Sequence, residues 1–434
     1  MSARRRWWEL PVPLDPAQRR ALWALCLISL LWSYGGGFLG LLAQTLPYAA
    51  DLYSVGDSSL ATGLAVVRAG AVIALVLGPL ADRRGRRRLV VSTAIVHCLL
   101  AATLGLAPSF EVYIAGHVVL RCVDTALSIA ITVLVAELVP AGSRATALGI
   151  VALATGAGVV LAVLALPLAE SGEAGFAAAY GLQLLALPLI LLAARALPES
   201  PRFLRHAAER HGYRAFLQPP YLGRMLLIGS TSFLAAFFTG PVFQFTTRLL
   251  DDTHGFSSLQ IIAFLAVTGL PAAPMVVVGG RLADGIGRKP VGIPLLAISL
   301  VAYAGFYLAP APWIWPLALI GAMAGAAGGA AIAPYGTELF PTRIRSSAQS
   351  LMFATAVTGS AAGLGCVALL TDELGLGGAV AALAALPAIA LVILAVGFPE
   401  TVGQELEDTS GDAPLGSGNG VVAGPRTSQS NERT

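Results

Sequence analysis

Apolar runs long enough to cross a lipid bilayer recur along this chain, and they restrict its fold more than any other feature. A helix rises about 1.5 Å per residue, so roughly 20 apolar residues cover the hydrocarbon. Runs of that size occupy 21–48, 58–81, 89–108, 110–137, 146–169, 175–196, 224–249, 259–282, 290–310, 312–338, 347–371 and 376–398. Strands of a membrane barrel would be about half as long and would alternate in polarity. Helices are therefore expected, with the shortest turns at Pro310–Pro312 and Asp372–Gly375.

Composition agrees. Only 12% of the 434 residues are charged, against about 25% in soluble proteins, so most of the outer surface must face membrane lipid. A net charge of +3 is too small to suggest nucleic acid. Cys26, Cys98, Cys122 and Cys366 each lie in an apolar run without metal-ligand spacing. They read as reduced thiols, with no metal or cofactor called for. Residues 1–20, with Arg4–Arg6, Trp7 and Trp8, read as a cytoplasmic arm rather than a cleaved leader, because the run from Ala21 is too long.

Positive charge sets the orientation. Of the 27 Lys and Arg residues, Arg68 and Arg121 fall within spans and Arg248 falls outside; the others share one side if the N-terminus is cytoplasmic. That bias places both termini in the cytoplasm, with an even number of spans. The expected organisation is an arm (1–20), a six-helix bundle (21–197), a basic linker (198–223), a second six-helix bundle (224–398) and a cytoplasmic tail (399–434). The tail is disordered by composition from about Asp408.

The loops repeat. Gly78-Pro-Leu-Ala-Asp82-Arg-Arg-Gly85-Arg86-Arg87 follows span two, and Gly280-Arg-Leu-Ala-Asp284-Gly-Ile-Gly287-Arg288-Lys289 follows span eight, 202 positions later. Glu137-Leu-Val-Pro140 with Arg144 returns at an offset of 201 as Glu338-Leu-Phe-Pro341 with Arg345. Pro198-Glu199 returns as Pro399-Glu400 at the same offset. Three motifs at nearly one offset describe a parallel repeat, two halves related by an axis along the membrane normal with a cavity between them. The expected fold class is thus an all-α membrane protein of twelve transmembrane helices in two pseudo-symmetric six-helix bundles.

The Gly-x-Leu-Ala-Asp-Arg-x-Gly-Arg-Arg loop resembles the signature of the major facilitator superfamily. Pro198-Glu-Ser-Pro-Arg202-Phe-Leu204, Glu338-Leu-Phe-Pro-Thr-Arg-Ile-Arg345 and Pro399-Glu400-Thr-Val-Gly-Gln-Glu-Leu-Glu407 are similar to loops of its sugar-porter and organic-ion branches. The resemblance covers 21–408. It implies a secondary transporter of the plasma membrane, a monomer, moving a small organic solute by alternating access with a proton as coupling ion. Departures occur at substrate level. Span five begins Ala145-Thr-Ala-Leu-Gly149 where sugar porters carry a Gln-Leu-Ser-type motif, and span seven has only Gln244. Span one, Trp32-Ser-Tyr34-Gly-Gly-Gly37, lacks the acid of many proton-coupled members. These departures point away from a sugar or a drug antiporter.

Each loop motif mixes signs. Asp82 lies at the C-terminal end of its helix, where a carboxylate opposes the dipole and needs a partner, Arg86 or another helix N-terminus. Gly78 and Gly85 allow close approach and a tight turn. Glu137, Arg144, Glu199 and Arg202, with Asp284, Arg288, Glu338, Arg345 and Glu400, supply opposite charges at one depth. At the water interface such pairs contribute roughly 0–1 kcal/mol each, which suits a reversible latch, and the resemblance implies that it closes the cytoplasmic side in the outward-facing state; setting topology alone is the blander reading.

Charges within spans need a reason, since each costs roughly 2.5–3.5 kcal/mol at mid-membrane. His117, Arg121 and Asp124 share one face of span four. They read either as a coupling and substrate site or as a structural Arg–Asp pair. Arg68, in the outer half of span two, lines the cavity or bonds carbonyls. If Arg68 and Arg121 both line it, an anionic substrate is favoured. In related transporters an Arg precedes the Glu of the Glu-x-x-Pro loop by about 20 positions; here that place holds His117, with Arg121 one turn deeper. His97 reads as packing, Tyr34 and Gln244 as cavity candidates, and Gly321, Gly325 and Gly329 as a close-packing seam. Nucleophile-elbow, zinc-protease and phosphate-loop motifs are missing, which argues against an enzyme or an ATP-driven pump. The alternatives are a sugar or drug/cation transporter of the same fold, or a non-transporting membrane sensor.

Overall fold

The structure, a computed structural model, describes residues 10–36, 40–55, 59, 62–63, 66–67, 70, 82–206, 221–406 and 409. Arg68, Gly78, residues 1–9 of the arm, 207–220 of the linker and most of the tail lie outside these residues.

The described elements are α1 (Pro16–Gly35), α2 (Leu41–Tyr53), α3 (Arg86–Leu104), α4 (Phe110–Leu138), α5 (Arg144–Leu164), α6 (Leu166–Glu170), α7 (Glu173–Gly181), α8 (Ala186–Ala196) and α9 (Pro201–His206). The second half holds α10 (Tyr221–Asp252), α11 (Ser258–Gly269), α12 (Ala272–Ile286), α13 (Arg288–Leu308), α14 (Ile314–Ile332), α15 (Tyr335–Glu338), α16 (Arg345–Ala382) and α17 (Ala385–Gly397). No strand occurs among the described residues.

Local chemistry explains the helix starts. Asp15 and Gln18 form a capping box, with Gln18 N–H donating to Asp15 Oδ1 at 2.7 Å, and Pro16 occupies the first turn. The arm is therefore helical before residue 20. Ser257 and Gln260 repeat that device at α11. The first apolar run is not one helix, since α1 ends at Gly35 and α2 begins at Leu41.

Nine helical segments among the described residues are long and apolar enough to cross a membrane. The longest, Arg345–Gly397, contains the last two predicted spans, parted where Gly375 adopts φ 68°. The outer surface is apolar, with Val396 84% and Leu369 81% exposed. Side chains of that kind require lipid around them, and this is a multi-pass membrane protein. Arg248, the one outlying cation, is exposed and paired with Asp252 at 3.0 Å.

The apolar cores respect the repeat. One cluster joins Leu25, Val90, Leu134 and Ile190, and a second joins Tyr113, Phe176 and Tyr180, all in the first half. Phe264, Phe306 and Val380 belong to a third, and Phe340, Leu394 and Phe398 to a fourth, all in the second half. A cluster crossing between halves contains only Ala145, Ala283, Val291 and Ala331 as buried members. Small side chains there let α5 and α12 run backbone to backbone. A Cβ at Gly280 would strike the Ala145 carbonyl, and one at Gly149 the Val276 carbonyl. The α14 seam holds at Gly321, against Tyr303, and at Gly325, against Ser299. It then passes to Gly328 rather than Gly329, which faces nothing within 4 Å.

Candidate functional site

The loops of the two halves meet on one face and cap each other's helices. Asp82 accepts from the N–H groups of Ser346 (3.1 Å) and Ser347 (2.9 Å) and from Ser347 Oγ (2.7 Å) at the start of α16. Asp284 accepts from the N–H groups of Ala145 (3.1 Å) and Thr146 (2.8 Å) and from Thr146 Oγ1 (2.7 Å) at the start of α5. Each carboxylate, unfavourable at the end of its own helix, is matched to orphan donors at a helix N-terminus of the other half.

Arginines complete the arrangement. Arg86 pairs with Asp82 (3.2 Å) and Glu137 (3.4 Å); Arg288 pairs with Asp284 (2.6 Å) and Glu338 (3.2 Å). Across the halves, Arg345 reaches Glu137 at 2.6 Å and Arg144 reaches Glu338 at 3.6 Å. Arg86 also donates to the Thr342 carbonyl, a further bond between halves. Glu199 accepts from the N–H groups of Arg86 (3.0 Å) and Arg87 (3.1 Å), and Glu400 from those of Arg288 (2.8 Å) and Lys289 (3.0 Å). Gly85 (φ 98°) and Gly287 (φ 133°) make these turns, in a backbone region that essentially only glycine enters, and a Cβ at either would press on Glu199 or Glu400.

One part breaks the symmetry. Arg202, on α9, donates to the Glu137 carbonyl (2.5 Å) and to Glu405 (2.9 Å). Glu405 also reaches Arg144 at 3.3 Å, and Arg144 bonds the Gln404 carbonyl at 3.0 Å. The position matching Arg202 is Gly403, in a turn with φ 71°. The segment after the last span thus straps across to the first half.

Burial corrects the expectation of weak surface pairs. Arg86, Arg144, Arg288 and Arg345 are fully buried, and Glu137 and Glu338 nearly so. Breaking one partner of such a pair leaves an uncompensated charge and costs about 3–5 kcal/mol, far above the surface value. Burial, the largest influence, pushes the Asp82 carboxyl above the ordinary carboxylate range, against the opposing pull of Arg86 and the Ser346 and Ser347 donors.

Within the membrane the predicted stripe divides. Asp124 Oδ1 accepts from Trp32 Nε1 at 2.8 Å and lies 2.7 Å from His97 Nδ1. Arg121, half-buried, acts on Asp124 electrostatically. His117 turns away, its Nδ1 2.9 Å from the Tyr113 carbonyl and its Nε2 3.4 Å from Tyr180 Oη. His97, expected only to pack, is therefore a hydrogen-bond partner of the buried Asp124 carboxylate. Tyr34 is buried and donates to the Ala179 carbonyl at 2.6 Å, a helix-packing bond rather than a cavity position. Gln244 is exposed on α10. No group of three or more candidate metal-binding side chains occurs among the described residues.

Ser346, Ser347, Ala145 and Thr146 were not expected as partners, although a signal existed. Thr146 and Ser347 stand 201 positions apart, the offset of the loop motifs. Trp32, His97 and Glu405 had no such signal.

The family model described as Major Facilitator Superfamily matches residues 22–338. The chain belongs to the major facilitator superfamily. It is accordingly a transporter rather than an enzyme. A D-xylose transporter of Levilactobacillus brevis is 28% identical over 166 residues, 38% of this chain and 36% of that protein, so only about a third of that relative is matched. Among solved structures, the proton:xylose symporter XylE bound to 6-bromo-6-deoxy-D-glucose superposes with TM-score 0.74 at 18% identity, covering 90% of this chain and 98% of that one. The human organic anion transporter MFSD10 superposes with TM-score 0.72 at 18% identity, covering 88% and 100%. At these identities the structural likeness concerns the fold.

Proposed function

We propose that this major facilitator transporter is a proton-coupled symporter of a small polar organic solute, a monomer working by alternating access in the plasma membrane with both termini cytoplasmic. The observation that carries this reading is the reciprocal capping of α16 by Asp82 and of α5 by Asp284. It closes one face of the molecule through bonds between halves whose apolar cores are otherwise separate. Bundles 21–197 and 224–398 are the rocking units. The latched face is the cytoplasmic one, so the state described is closed inward.

Two solute classes compete. Arg121, and Arg68 in the second span, favour an organic anion, which cationic side chains can hold. The D-xylose transporter relative favours a sugar instead. Uptake of D-xylose and of a panel of organic acids into proteoliposomes, with the interior made alkaline, tests both. Accumulation above equilibrium that collapses with a protonophore is expected for one class. Uptake that is indifferent to the gradient would overturn proton coupling, and accumulation of D-xylose alone would overturn the anion reading.

A further inference from the structure

The His97–Asp124 pair has the geometry of a base and its orienting acid. Asp124 Oδ1 accepts the indole N–H of Trp32 at 2.8 Å, so it presents acceptor character to its neighbours. His97 Nδ1, 2.7 Å from the same oxygen, must then carry the proton it donates. A neutral imidazole with its proton on Nδ1 has a lone pair on Nε2. That Nε2 is buried, in a residue 0% exposed, and has no hydrogen-bond partner among the described residues.

The surroundings are tightly packed. A Cβ at Gly36 would strike the His97 ring at Cε1 and both Asp124 oxygens, so the backbone at the end of α1 closes directly over the pair. The ring meets Gly36, just after α1, and Asp124 from α4, on which Arg121 acts and to which Trp32 of α1 is bonded. From the 182–185 turn comes Gln183, whose amide bonds Cys98, the residue beside His97 in the chain. Apart from Asp124, Arg121 and the Cys98 thiol, none of these groups titrates.

We propose that His97 Nε2 is the proton-binding atom of this transporter, with Asp124 as its counter-ion and positioning group. The proton adds to the Nε2 lone pair, giving an imidazolium that keeps its Nδ1–H···Asp124 bond, and leaves by the reverse step. The pair ties the end of α1 to α3 and α4, so a change in its charge acts on the packing inside the first of the two rocking bundles. This assignment deepens the proton-coupled reading above and rests on it for its role in transport, but proton binding itself is measurable without a solute.

The test uses the full chain in lipid nanodiscs and follows Trp32 fluorescence against pH, taken as the difference from Trp32→Phe. An imidazolium sharing a carboxylate with the indole quenches it, so a one-proton transition is expected. His97→Asn keeps a donor near the Nδ1 position and cannot titrate; the transition should vanish while thermal stability stays close to the parent. Asp124→Asn removes the counter-ion and should move the transition down by roughly one pH unit or more. His117→Asn should leave it in place. A parent protein without a transition, or a transition that survives in His97→Asn, would overturn the assignment. Loss in His97→Asn with solute uptake indifferent to a pH gradient would uphold the proton site and overturn only its coupling to transport.

Discussion

The Asp284 carboxylate and the Thr146 backbone N–H, 2.8 Å apart, join the end of one helix in the second half to the start of another in the first. Asp82 and Ser347 make the same bond in the opposite sense at 2.9 Å. Because both bonds run between halves, their integrity reports on the relative position of the halves. Folding within either half leaves them free to break.

Removing one cap should loosen the opposite helix and spare the equivalent one. An N-terminal cap contributes about 0.5–2 kcal/mol, so Asp82→Asn should speed hydrogen exchange at Ser346 and Ser347 by roughly three- to thirtyfold, with a smaller change at Ala145 and Thr146. Asp284→Asn should reverse the pattern. Mass-spectrometric exchange on the peptides spanning 144–150 and 345–351 checks this.

The fully buried cations should differ sharply from a half-buried neighbour. Arg345→Ala takes from the buried Glu137 its closer partner, at 2.6 Å, leaving Arg86 at 3.4 Å, and should destabilise the closed state by about 3 kcal/mol, the lower end for breaking a buried pair. Arg343→Ala, losing a bond to Tyr221 Oη at a half-buried site, should change stability by about 1 kcal/mol or less. Adding Glu137→Gln to Arg345→Gln should recover part of the loss, measured as coupling in a double-mutant cycle of thermal unfolding.

Gly85→Ala should be more harmful than Gly172→Ala. Both glycines have positive φ, 98° and 105°, but a Cβ at Gly85 would press on Glu199 and Phe203 while one at Gly172 meets nothing within 4 Å. Backbone strain of about 1–3 kcal/mol applies to each. The excess measured for Gly85→Ala, and its reduction when Glu199 is also shortened to Asp, isolates the Glu199 contact.

The strap should tune rather than hold. Glu405 is half-exposed, its side chain 51% accessible, where it meets Arg144 and Arg202. Glu405→Gln should therefore alter thermal stability by about 1 kcal/mol or less, yet increase exchange in the peptide containing Arg202. A loss as large as that of Arg345→Ala would show the strap to be a principal fastening.

How much of this was legible beforehand follows from the physics of each part. Spans were readable because lipid demands about 20 apolar residues whatever the partners. The loop motifs were readable because a repeat doubles the signal, which is why Asp82 and Asp284 could be singled out with their need for a helix N-terminus. Which N-terminus answered them was not, since Ser346 and Ala145 are common residues and the donors are backbone N–H groups. Burial of Arg86 and Glu137 was also hidden: a charge count does not say whether water reaches the charge. In the membrane, helical spacing placed Arg121 beside Asp124 on one face. It could not show that His97 and Trp32, from two other helices, would reach the carboxylate first. Arg68 and Gly78 lie outside the described residues, so their proposed roles stay with the chemistry of their types.

Electron–electron spin resonance between labels on the two halves tests the rocking account most directly. With the native cysteines replaced, labels at Arg84 and Gly285, both exposed on the latched face, report the gap between halves in lipid. A dominant short distance is predicted for the parent, with a longer population that grows when Asp82 and Asp284 are both changed to Asn. A single distance distribution, identical in the parent and the double variant, would contradict two halves that move about a central axis and are held closed by these carboxylates.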